Sequence, residues 1–114
     1  MKKINDKLIV SLKADLSDRD LGIMVGEVIN KVDSEGVDGV VIDFSMIRVI
    51  TAYSYDIFMN MTKAIRLMGS DVVWVSLRPG VVVSLIDLDL VDSMANIRTS
   101  MTVEQGILLL EKGV

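Results

Sequence analysis

Residues Gly39–Leu77 read GVVIDFSMIRVITAYSYDIFMNMTKAIRLMGSDVVWVSL. The two ends of this stretch, Gly39–Phe44 and Asp71–Leu77, are short β-branched runs of the kind that fill a strand buried on both faces. Between them Ile57, Phe58, Met61, Ala64, Ile65 and Met68 recur at helical spacing, and Gly69 supplies a C-terminal stop. Strand, amphipathic helix and strand make a β-α-β unit, which closes with a right-handed crossover and parallel strands. The rest of the chain extends that unit in both directions.

Upstream, Leu8, Val10 and Leu12 alternate with Lys7, Ile9 and Ser11, as in a strand with one face more buried than the other. Ser17 and Asp20 form an N-cap pair, and Leu21, Val25, Val28 and Val32 then lay an apolar stripe along a helix that stops near Ser34-Glu35-Gly36. Gly22 and Gly26 fall inside this helix and suit a spot of close packing better than a membrane dimer motif, because the segment carries Asp18, Asp20 and Glu27. Downstream, Arg78-Pro79-Gly80 ends the strand and a short helix over Val81–Leu88 follows. Asn96–Ser100 reads as a last, weaker strand, and Thr102 with Gln105 caps a closing helix carrying Val103, Ile107, Leu108 and Leu110. The order is β-α-β-(β)-α-β-α-β-α, the optional strand falling in the passage Ser45–Ile50, so an α/β fold on a largely parallel sheet is expected.

Composition narrows the function. At 114 residues, 51% of them hydrophobic, the chain has the size and core material of one domain, 1–114. Cysteine and histidine are both absent, which excludes disulfides, thiolate or imidazole metal sites, and Ser-His-Asp or Cys-His catalysis within this chain. A net charge of −4 argues against a nucleic-acid binder. The apolar runs last four or five residues against the roughly 20 of a membrane span, and MKKINDKLIV lacks the apolar core of a signal peptide. A cytoplasmic location, no membrane and no cofactor or metal are therefore the expectations.

Few residues carry chemistry. Neither GxGxxG nor GxxxxGK[ST] occurs, and Asp87 and Asp89, two apart on a helix, point away from each other. Asp43 is better placed, at the carboxyl end of a central strand, where α/β folds gather their sites; it is equally suited to accept backbone hydrogen bonds in the next turn. Ser45, the Thr51 turn and the Arg78-Pro79-Gly80 turn converge on the same rim.

Val40–Phe58, Arg66–Leu90 and Ile97–Leu110, within a span of about two-thirds of the chain, resemble a STAS domain, and within that family its stressosome-scaffold and anti-sigma-factor-antagonist branch. The specific part is the spacing from Asp43-x-Ser45 to the helix-opening turn, followed by Pro79-Gly80-Val81 and SLIDLDL (Ser84–Leu90). The resemblance implies a four- to five-stranded, mostly parallel sheet flanked by about four helices. It also implies a non-enzymatic role in partner switching, in which the domain holds a serine/threonine kinase or anti-sigma factor and releases it when a hydroxyl at the start of the second helix is phosphorylated. Here the family's acidic-hydroxyl pair falls on Thr51-Ala52, so the acceptor position is Ala52, which has no hydroxyl. Thr51 can take over as N-cap and, with Ser54 behind it, is the candidate for a displaced phospho-acceptor.

With Ile57, Met61, Ala64 and Met68 toward the sheet, the opposite stripe of the helix is Ala52, Tyr55, Met59, Thr62 and Arg66. Tyr and Met are enriched at interfaces. The expected docking surface is therefore Thr51, Ala52, Tyr55 and Met59, extended by Arg78 and Gly80, with other STAS proteins as further partners in a homo- or hetero-oligomer. The alternatives are a non-phosphorylatable structural subunit of a STAS assembly and a small-ligand or nucleotide binder at the Asp43–Ser45 rim.

Overall fold

The computed structural model describes residues 1–112, so 113 and 114, the end of the expected domain, lie outside it. Five strands, β1 (Lys2–Ile4), β2 (Lys7–Ser11), β3 (Gly39–Asp43), β4 (Asp71–Val75) and β5 (Arg98–Ser100), form one sheet in the order β1-β2-β3-β4-β5. The helices are α1 (Asp18–Glu35), α2 (Ala52–Leu67), α3 (Pro79–Asp87) and α4 (Val103–Glu111), with a 3-10 turn over Asp92–Met94. β2 to β5 run parallel and β1 returns antiparallel against β2.

The fifth strand is therefore N-terminal. Asn5-Asp6 is the turn of a hairpin, and Asn5 adopts φ 53°, a conformation that Asn tolerates better than most residues. Ser45–Ile50 holds no strand. β4 stops two residues before Leu77, where Ser76 takes φ 60° and breaks the extended backbone.

Successive right-handed crossovers across neighbouring strands deliver their helices to one face. Alternate residues Leu8, Val10, Val40, Ile42, Val72 and Trp74 accordingly pack against α1, α2 and α3, together with Leu12 and Phe44 just past the strand ends. The other residues of the same strands, Ile9, Val41, Val73 and Val75, meet α4 through Leu110 and Ile107. α1 follows its sequence closely: Ser17 accepts from the Asp20 amide at 3.1 Å, Leu21, Val28 and Val32 are buried, and Gly36 closes the helix in the left-handed region. Gly22 and Gly26 differ from expectation, since a Cβ on either would meet open space.

Candidate functional site

Parallel strands bring their carboxyl ends to one rim. Ser11 pairs with Asp43, Asp43 with Val75, and Val75 with Ser100, so four strands finish in a row. The loops rising from that row carry the residues singled out from sequence. Asp43 is half-buried, and its Oδ1 accepts the Ser45 amide at 2.9 Å, so this carboxylate shapes the turn. Arg78 Nη1 reaches the Ser45 carbonyl at 3.4 Å, tying the β4–α3 turn to the β3–α2 loop. Gly80 makes a second tie: a Cβ there would stand 2.3 Å from the Arg48 carbonyl oxygen. No side chain fits that gap, so glycine lets the two loops touch backbone to backbone. Ser84 completes the junction, donating to the Gly80 carbonyl at 2.8 Å and accepting the Ile50 amide at 3.4 Å.

The start of α2 sits beside this junction. Thr51 is the N-cap and Ala52 the first helical residue, both exposed. Thr51 Oγ1 accepts the Ser54 amide at 3.1 Å, and Ser54 Oγ accepts the Thr51 amide at 3.0 Å, a reciprocal box that satisfies two otherwise orphaned donors. The half-buried Ser54 turns its hydroxyl back to Thr51 and also donates to the Thr51 carbonyl at 3.2 Å. Thr51 and Ser54 line a shallow groove whose far wall is Lys13, Asp15, Leu16 and Asp18, from the loop before α1 and its first residue.

Tyr55 and Met59 are not on the surface. They are 3% and 8% exposed, buried with Phe58, Met61, Thr62 and Ile65. The core-facing stripe of α2 is turned by roughly a quarter of a helical turn from the expected one. Two polar side chains explain the rotation. Tyr55 crosses edge-on to Trp74 at 6.3 Å, and its hydroxyl donates to Ser93 Oγ, which donates to the Leu90 carbonyl at 2.7 Å. Thr62 is fully buried, accepting Trp74 Nε1–H at 3.0 Å and donating to the Phe58 carbonyl at 2.8 Å. Arg66 is half-buried, its guanidinium on the Asn96 carbonyl at 2.6 Å, while Met68, expected in the core, is 41% exposed.

The stripe that does face solvent is Tyr53, Asp56, Asn60, Lys63 and Leu67. Tyr53 is 51% exposed directly after Ala52, and Met46 (59%) and Val49 (63%) stand out from the preceding loop. These three apolar residues, missed from sequence, flank Thr51 and Ala52 along the chain. Arg48 lies between Met46 and Val49, and with Arg78 it lines a second groove floored by Ile47. The signal was available: once Tyr55 is assigned to the core, helical spacing puts Tyr53 outside.

No protein-family model and no curated protein sequence matches the chain. Solved structures do. A chain of the stressosome, a signal integration and transduction hub, superposes with a TM-score of 0.83 at 20% identity over 97% of this chain and 95% of its own. RsbS from Moorella thermoacetica superposes at 0.82 with 19% identity, over 97% and 92%. The chain has the STAS fold. A third STAS structure, the anti-sigma factor antagonist SpoIIAA in its unphosphorylated form, superposes at 0.69 with 7% identity over 100% and 96%. Among the described residues, no helix is long and apolar enough to cross a membrane, and no acidic cluster could hold a metal ion.

Proposed function

We propose that this chain is a regulatory binding module that takes part in partner switching, docking a serine/threonine kinase or an anti-sigma factor at the opening of α2. The observation that carries this reading is the exposed group Met46, Val49, Thr51, Ala52 and Tyr53, gathered around a helix start on a STAS fold. Apolar and aromatic side chains clustered at a rim, with Arg48 and Arg78 at its edge, suit protein recognition better than catalysis. The surface expected from sequence is thereby revised: Thr51, Ala52, Arg78 and Gly80 stay in it, and Tyr53, Met46 and Val49 replace Tyr55 and Met59.

Ala52 offers no acceptor, and Thr51 is the hydroxyl in reach. A phosphate there adds about −1.5 to −2 charges at the amino end of a helix, where the dipole tolerates it. Lys13 across the groove favours it, while Asp15 and Asp18 oppose it. Modification would thus leave the fold standing and change what the rim presents. A second reading, a scaffold subunit that is never phosphorylated, is favoured by Ala52 itself.

Calorimetric titration into a cognate kinase, followed by phosphosite mapping, tests both readings. Tyr53→Asp should weaken binding by at least about tenfold with the fold intact, as expected for an exposed aromatic anchor. Phosphate on Thr51 supports the displaced switch, and no phosphate on the chain after incubation with the kinase supports the scaffold. Binding indifferent to Tyr53→Asp would remove the proposed surface.

A further inference from the structure

The outer side of α3 belongs to none of this. Pro79–Ile86 reads PGVVVSLI, eight residues without a charge, bracketed by Arg78 and Asp87. The helix buries Val81 and Leu85. Val82, Val83 and Ile86 share its other side and are 42%, 54% and 59% exposed, and Leu88 and Val91, just past the helix, are exposed as well. A helix lying on the surface of a domain normally shows water its polar residues, and contiguous apolar exposure of this kind marks a contact.

We infer that a second copy of this chain covers α3, the two helices packing antiparallel about a two-fold axis. The argument is the charge at each end. At the amino end stand Arg78, the N-cap, and Arg48, whose backbone abuts Gly80. At the carboxyl end stand Asp87, Asp89 and Asp92, all exposed. Gly80 and Asp87 are seven residues apart, about two turns, so the Arg48 junction and Asp87 border the same flank of the helix. Among the described residues, none of these five charged groups has an ion-pair partner. In a two-fold contact residue i meets j while j meets i. An antiparallel pair of α3 helices therefore sets the basic end of each copy against the acidic end of the other, twice, with the helix dipoles opposed. A uniformly acidic or uniformly basic partner would satisfy one end and be repelled by the other. A helix about 13 Å long and 10 Å wide covers less than the roughly 800 Å² per partner of a stable interface. The pairing is accordingly weak by itself and gains strength where several copies are held together.

Sedimentation velocity of the full chain from micromolar to millimolar concentration tests this, with circular dichroism as the check on folding. The wild type should move from monomer toward dimer, and Val83→Asp should remain monomeric. Arg48→Asp and Asp87→Arg should each weaken association by about tenfold, because each places like charges at both ends of the contact. An equimolar mixture of those two variants should recover wild-type association, since in the mixed pair every cation again faces an acid. A wild type that is monomeric throughout, a dimer indifferent to these substitutions, or a mixture no tighter than its components would overturn the inference. Val83 and Asp87 lie outside the proposed kinase-docking surface, so the two ideas fail separately.

Discussion

α2 and α3 open on the same rim and meet solvent in opposite ways. α2 begins with the reciprocal Thr51–Ser54 cap and turns Asp56, Asn60 and Lys63 outward, leaving apolar exposure mainly at its two ends, Tyr53 and Leu67. α3 begins on a proline, has no side-chain cap, and presents Val82, Val83 and Ile86 along its length. The difference separates two kinds of surface. α2 is finished within the monomer and offers a partner only its first turn, whereas α3 is finished only along its inner side.

The comparison breaks most severely where α2 is anchored. Tyr55→Ala should cost at least about 3 kcal/mol of unfolding free energy by denaturant titration, the range for emptying a buried aromatic site. A change within about 0.5 kcal/mol would mean that Tyr55 belongs to the surface after all. Thr62→Val keeps the shape but leaves the Trp74 indole N–H without its acceptor, so about 1–3 kcal/mol should be lost, with a change in the tryptophan near-ultraviolet signal. Thr51→Ala removes one half of the cap and should cost about 1 kcal/mol, read as a lower Tm. Ile86→Ser should leave monomer stability within about 0.5 kcal/mol, as for most surface positions, and diminish self-association only. A large stability loss at Ile86 would place it in the core and erase the distinction between the helices.

The sheet was legible because GVVID and DVVWV are too apolar for anything but strands covered on both faces, and because Ser17, Thr51 and Thr102 are capping residues in front of periodic helices. β1 was not legible, since its three residues are mostly exposed and gain their regularity from pairing with β2 rather than from an apolar pattern. The rim was legible as a place: Asp43, Ser45, Arg78 and Gly80 lie in its tied loops, and Thr51 and Ala52 follow at the start of α2. The face of α2 was misread because a hydrophobic tally treats tyrosine and threonine as candidates for the outside. Trp74 reverses this, since its ring packs against Tyr55 and its buried N–H requires the Thr62 hydroxyl. Such a demand comes from a side chain on a distant strand and leaves no trace in the helix's own periodicity.

One link reaches beyond stability. Through Tyr55, Ser93 and the Leu90 carbonyl, the opening turn of α2 is tethered to the segment that leaves α3. A load that shifts the first turn pulls on the segment that follows α3 as well as on α2's own cap. If docking displaces that tether, occupancy at one surface and pairing at the other are thermodynamically linked, each biasing the other by the same factor. In an assembly of many copies, one docking event would be sensed by its neighbours through a single phenol.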